Sequence, residues 1–128
     1  MSKESFQKLL DLTKQLRDPK SGCPWDIKQT IETLQECMRE ESEEVFEAIR
    51  NNDMENLKEE LGDLFFNVII MAYVAEQDGK FTLKEVIDGI VDKIIRRHPH
   101  VFGDAKADSP EEALANWNKV KEEEKKKD

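Results

Sequence analysis

At 128 residues, with 38% hydrophobic and 38% charged side chains, the chain has the size of one soluble domain able to bury a real core. A formal net charge of −9 argues against a general nucleic-acid binder, whose phosphate contacts need clustered Lys and Arg. Cys23 and Cys37 are too few for a disulfide framework and match no zinc spacing, so both read as free thiols in a reducing compartment. The chain shows no basic-then-apolar leader, and its longest apolar run, residues 64–75, is too short to span a bilayer. These features predict a cytoplasmic protein with no membrane contact. Strand formers are sparse and Glu, Lys, Leu and Ala plentiful, which favours an all-α fold.

Phe6, Leu9, Leu10, Thr13 and Leu16 recur at helical spacing and predict a first helix ending near Arg17. The stretch Asp18-Pro19-Lys20-Ser21-Gly22-Cys23-Pro24-Trp25 then breaks it. Asp26 reads as the N-cap of a second helix, with Gln29 at the capping-box position. Trp25 is either the hydrophobic staple of that helix or a substrate contact. The helix is expected to run to about Ile49 with an apolar stripe of Ile31, Leu34, Met38, Val45 and Ile49. At about 100° per residue Glu41 falls inside the stripe, Glu44 lies at its edge, and Glu36, Glu43 and Glu47 lie on the far side.

A third helix is predicted from Met54 to Gln77, apolar almost all round after Leu64. Glu60, Asp63 and Asn67 interrupt it at positions i, i+3 and i+7 and so share one face. A buried charge is costly unless paired or metal-bound, and carboxylates from the preceding helix need the same partner. Glu41-x-x-Glu44 and Glu60-x-x-Asp63, separated by 15 residues, can converge across a helical hairpin. An oxygen-only cluster of this kind suits a hard cation such as Mg²⁺. Gly62, between the acidic residues, either permits a close approach or is a tolerated helical glycine at a cost of about 1 kcal/mol.

Asp78-Gly79 ends this helix, and Thr82 with Glu85 opens a fourth through Val86, Ile87, Ile90, Val91, Ile94 and Ile95. Pro99 stops it after Arg96-Arg97-His98. The two arginines suit a helix C-terminus or a phosphate equally, while His98 and His100 have ligand chemistry but no acidic or thiol partner close in sequence. Ser109-Pro110-Glu111-Glu112 opens a last helix carrying Ala113, Leu114, Trp117 and Val120, followed by a charged tail from about Lys121. The expectation is a single domain, 1–128: a bundle of about five helices with a metal site between two central antiparallel ones. His is absent before His98, which excludes a ferritin-like Glu-x-x-His centre.

The paired carboxylate spacing resembles that of the all-α nucleoside triphosphate pyrophosphohydrolases. Within that superfamily the chain is similar to the MazG family. The likeness is carried by Leu16-Arg17-Asp18-Pro19, Gly22-Cys23-Pro24-Trp25-Asp26, Glu59-Glu60-Leu61-Gly62-Asp63-Leu64, Arg96-Arg97-His98-Pro99-His100-Val101-Phe102 and Trp117-x-x-x-Lys121. The resemblance covers nearly the whole chain. It implies hydrolysis of a nucleoside triphosphate to the monophosphate and pyrophosphate, dependent on Mg²⁺, with Mn²⁺ able to substitute, in a helical homo-oligomer. Glu41, Glu44, Glu60 and Asp63 are then the metal ligands and catalytic carboxylates, with Glu40 a further acidic neighbour that the helical wheel turns away from Glu41.

Hydrolysis of a tetra-anionic triphosphate needs charge neutralisation and a positioned water. Lys28, Arg96, Arg97 and Lys121 are the candidate phosphate contacts, although basic side chains at helix ends are commonly just solvated. Asn67 joins them as a substrate contact beside the carboxylates, and Trp25 or Trp117 can stack on a base, with core packing the alternative for Trp117. Two other functions fit the same pattern: a sister enzyme of narrow substrate such as a dUTPase, and a non-catalytic acidic interaction module. The near-total apolarity of 64–75 predicts a further burial partner, at least a homodimer.

Overall fold

The computed structural model describes residues 2–126 and is all-helical, with seven helices among those residues: α1 (Ser2–Leu16), α2 (Pro24–Lys28), α3 (Ile31–Arg50), α4 (Met54–Gln77), α5 (Leu83–Arg97), α6 (Pro99–Phe102) and α7 (Pro110–Lys126). Five helices answer to those expected, although the second is divided into the short α2 and the long α3, and α6 is a short addition. No helix among the described residues is long and apolar enough to cross a membrane. The chain divides into two compact units, Met1–Leu83 and Lys84–Asp128.

The first unit is built on the antiparallel hairpin of α3 and α4. Three residues, 51–53, make the turn; Asn52 takes φ 50°, a left-handed conformation that Asn tolerates better than most side chains. Asp53 then caps α4, accepting from the Asn56 N–H at 3.1 Å. Leu34 of α3 packs with Ile70 and Val74 of α4, and Ile31, Phe66 and Met71 lie against them. Ile69, Ala72 and Ala75 of α4 and Val45 and Ala48 of α3 are also buried. Leu61, Phe65 and Val68 of α4 remain exposed, so the apolar girdle expected to be buried is only partly covered within the chain. Gly79, at φ 72°, turns the chain out of α4 while Lys80 N–H closes on the Ala75 carbonyl at 2.9 Å.

Helix α1 lies against α4, with the Phe6 and Phe65 rings 6.0 Å apart. Thr13 of α1 is buried and donates its hydroxyl to the Leu9 carbonyl at 2.7 Å, which satisfies the polar group. The chain then folds tightly back: Asp18 accepts from the Lys20 and Ser21 N–H groups, and Cys23 N–H reaches the Leu16 carbonyl at 2.8 Å. The expected second helix is in fact two. Pro24 starts α2 at its first position, Gln29 is extended, and α3 begins afresh after Thr30, whose hydroxyl and that of Thr33 form a reciprocal capping box. Asp26 is therefore inside α2 rather than a cap, and Trp25 is 64% exposed rather than a packed staple.

In the second unit, Ser109 Oγ accepts from the Glu112 N–H at 3.1 Å to open α7, and the Glu112 carboxylate reaches back to the Asp108 N–H at 2.6 Å. Glu124 of α7 binds the guanidinium groups of both Arg96 and Arg97 at the end of α5. These two bonds pull the Glu124 carboxyl down to about 2. Val86, Ile87, Ile90, Val91, Ile94 and Ile95 form the apolar side of α5 and are all exposed.

Candidate metal centre

Helices α3 and α4 place their acidic side chains at one level of the hairpin. Oxygen atoms of Glu41, Glu60 and Asp63 lie within 4.8 Å of one another. Glu60 is buried, at 8% exposure, because the following turns of α4 are apolar and hold that face inward. Glu41 is half-buried, as its place in the α3 stripe requires, and its Oε2 has neither solvent nor a hydrogen-bond partner. Asp63 and Glu44 are exposed at the mouth, and Glu44 hydrogen-bonds Glu60.

The electrostatics follow from this crowding. Burial pushes the Glu60 carboxyl up to about 7, with the Glu41 charge and hydrogen bonds to Glu44 and Asp63 acting in the same direction. Burial also raises Glu41, helped by Asp63, Glu44 and Glu59. Such a cluster is unfavourable unless protons or a cation relieve it. A set made of carboxylate oxygens alone, with one buried oxygen lacking any partner, fits a hard divalent ion.

A recess of about 260 Å³ opens beside the carboxylates, lined by Cys37, Glu40, Glu41, Asp63, Phe66 and Asn67. Asn67 donates its amide to the Cys37 carbonyl at 3.3 Å and lines the recess. Glu40 lines the recess although the helical wheel directs it away from Glu41, because the recess is wide enough to take in a neighbouring face of α3. Cys37 and Phe66 carry no signal of their own in sequence; only the pairing of α3 with α4 brings them here.

Chains similar to this one are known. The MazG nucleotide pyrophosphohydrolase domain matches residues 29–102, which contain all four carboxylates. The chain belongs to the MazG family. A nucleoside triphosphate pyrophosphohydrolase of Escherichia coli (strain K12) is 44% identical over 120 residues, covering 94% of this chain and 46% of that protein. The nucleoside triphosphate pyrophosphohydrolase/pyrophosphatase MazG of Thermotoga maritima is 43% identical over 120 residues, covering 94% and 45%. The chain thus spans about half the length of these curated relatives. The crystal structure of a mazG-related protein from Thermotoga maritima superposes with a TM-score of 0.76 at 40% identity, covering 91% of this chain and 98% of that one.

The remaining candidate residues fall in separate places. Trp25 and Lys28 are exposed on α2, in the first unit with the carboxylates. Arg96, Arg97 and Lys121 belong to the second unit. There the Arg97 guanidinium lies 5.0 Å from the centre of the Trp117 ring, and its Nε is buried without a partner. Trp117 is half-buried, so the packing role is observed alongside the cation contact. His98 stands edge-on to Trp117 with ring centres 5.4 Å apart, and its Nδ1 lies 2.6 Å from the Ile94 carbonyl, which fixes the proton on that nitrogen. Among the described residues the histidines join no group able to hold a metal.

Proposed function

We propose that this chain hydrolyses nucleoside triphosphates to the monophosphate and pyrophosphate, using Mg²⁺ or, in its place, Mn²⁺. The reading is carried by one observation: three carboxylates of the MazG domain converge to within 4.8 Å, and one buried oxygen of Glu41 has no partner. Glu41, Glu44, Glu60 and Asp63 hold the cation, which supplies the positive charge that offsets the triphosphate and polarises the attacking water. The chain's own groups do the rest. A carboxylate of the cluster takes the proton of the water as it attacks phosphorus and the bond to pyrophosphate breaks.

Lys28, Arg96, Arg97 and Lys121 are the candidate phosphate contacts, Lys28 in the unit that holds the carboxylates and the other three in the second unit. For Arg97 the support is its buried, unpartnered Nε, a donor that an anionic oxygen would satisfy. Asn67 meets the sugar or base from the wall of the recess, and Trp25 stacks on the base. The working form is a homo-oligomer, a dimer or larger. Phe65 and Val68 of α4 and the apolar side of α5 are too extensive to remain in water. The −9 charge supports a protein that takes free nucleotides rather than nucleic acid. Free Cys23 and Cys37 suit the cytoplasm.

The decisive assay incubates the chain with each triphosphate and Mg²⁺ and measures monophosphate and pyrophosphate. Turnover of several bases is expected, abolished by a chelator and restored by Mg²⁺. Turnover of dUTP alone would replace this reading with a narrow sister enzyme, and none at all with a non-catalytic interaction module. Glu41→Ala and Asp63→Ala should each lose turnover by at least about 100-fold, while Glu43→Ala and Glu47→Ala, on the exposed side of α3, should retain it. Equal losses in all four would overturn the assignment of the metal face.

A further inference from the structure

Helix α2 has only five residues and buries none of them. A helix that short is unstable alone, and apolar burial does not hold this one in place. A polar clamp does. Arg17, just past the end of α1, directs one terminal nitrogen, Nη1, at the carbonyls of Asp26 (2.5 Å), Ile27 (3.1 Å) and Gln29 (2.8 Å) at the end of α2, of which the Asp26 carbonyl also accepts from the Gln29 N–H at 3.3 Å. Its Nε donates to Gln77 at the end of α4 at 2.9 Å, tying the clamp to the central hairpin. From the other side, the buried Gln29 donates its amide to the Trp25 carbonyl at 2.9 Å and accepts from the Thr33 hydroxyl at 2.8 Å. The approach to α2 is equally constrained: a Cβ on Gly22 would lie 2.3 Å from the Leu16 carbonyl oxygen.

What this clamp displays is an indole. Trp25 is 64% exposed, and among the described residues no ring or cation is stacked on it. Lys28, three residues on, is exposed on the same short helix. An exposed aromatic surface on a fixed turn of backbone, three residues from a cation, matches a nucleotide, because every base offers a π-face and every nucleotide an anionic phosphate.

We propose that Arg17 and Gln29 are positioning residues that hold Trp25 as a preformed stacking surface for the substrate's base. The inference rests on the pyrophosphohydrolase reading above and adds the kind of recognition at work: the π-face of the base, not its hydrogen-bonding edge. All bases are therefore accepted, with purines gaining more than pyrimidines from the larger overlap.

A double-mutant cycle on steady-state turnover tests it. Trp25→Ala should raise KM on the order of 10-fold, in line with the loss of one base–aromatic stack, and leave kcat within about two-fold. Arg17→Met should raise KM in the same direction and no further, and Arg17→Lys should recover part of the loss. The deciding result is that Arg17→Met adds nothing to KM in the Trp25→Ala background. An Arg17 effect that persists undiminished there, or that falls on kcat, overturns the proposal and leaves Arg17 a structural residue. Should Arg17→Met fail to fold, Gln29→Met breaks the clamp from its other side and must satisfy the same cycle. If the unmodified chain turns over no triphosphate, the pyrophosphohydrolase reading falls and this inference with it; turnover with additive effects removes only the inference.

Discussion

Cation binding at the carboxylate cluster should release protons in a pattern set by Glu60. In the folded chain this carboxyl is pushed from 4.5 up to about 7. A bound divalent ion requires it ionised, so the proton it carries must leave. With a value of about 7, Glu60 holds about 0.9 of a proton at pH 6, about 0.5 at pH 7 and about 0.1 at pH 8. Glu41, raised by burial and by the same neighbours, adds to the release in the same direction. Because the carboxylates titrate together, the measured quantity is the proton count of the cluster. Calorimetric titration with Mg²⁺ or Mn²⁺ in two buffers of different ionisation enthalpy gives that count directly. It should fall steeply from pH 6 to pH 8, while the apparent affinity for the ion rises over the same range. Glu60→Gln should remove most of the release. Binding without proton release at pH 6, or release unaffected by Glu60→Gln, would refute the link between burial, charge crowding and the ion.

The same shift predicts how the cation-free protein responds to pH. Between about 4.5 and about 7 the folded state binds more protons at Glu60 than the unfolded state does, so stability should fall as pH rises through that window and level off above it. Thermal unfolding across the window, with and without Mg²⁺, checks the sign. Glu124 behaves oppositely: its carboxyl is held at about 2 by Arg97 and Arg96, so its contribution is present above about 4.5 and lost as pH falls from there toward 2. That acid-side loss should be absent in Glu124→Gln, followed by circular dichroism. Two glycines should respond in opposite directions. Gly22→Ala forces a Cβ to within 2.3 Å of one backbone oxygen and 2.6 Å of another, and should cost on the order of 2–4 kcal/mol in denaturant unfolding. Gly62→Ala, in the middle of α4 with nothing within 4 Å of the new carbon, should stabilise by about 1 kcal/mol.

The parts of the molecule legible in sequence are those decided locally. The bounds of α4 follow from a cap at Asp53 and a stop at Asp78-Gly79, both within reach of the residues they act on. The inward turn of Glu41 and Glu60 follows from helical periodicity, and their meeting from the short link between α3 and α4. What periodicity missed depends on distant groups. Asp26 and Gln29 have the spacing of a capping box, yet Gln29 spends its amide on the Trp25 carbonyl, and Arg17 gathers the carbonyls around it. Thr30 and Thr33 cap α3 instead. Arg17 itself looks like any basic residue closing a helix until α2 and Gln77 are placed around it. Glu40 shows the limit of a helical wheel, which gives a direction but not the width of the recess that direction must reach.

The position of the carboxylates within the hairpin has a consequence for how folding and binding are coupled. Leu34, Ile70 and Val74 close one end of the α3–α4 pair with a dry apolar contact, and a few turns away the same two helices bring together Glu41, Glu60 and Asp63. The first contact is favourable whatever the solution contains; the second is favourable only when protons or a cation neutralise it. The apolar end can therefore hold the helices at a fixed spacing while the acidic end bears repulsion, so the site exists before the ion arrives. An ion entering such a site relieves charge already paired by packing, and its binding energy adds to the stability of the hairpin rather than being spent on assembling it. On this argument Leu34→Ala should weaken cation binding although Leu34 provides no ligand, because the hairpin must then be held in register by the ion itself. An unchanged affinity in Leu34→Ala, measured by the same calorimetry on folded protein, would show that the carboxylates hold their own spacing.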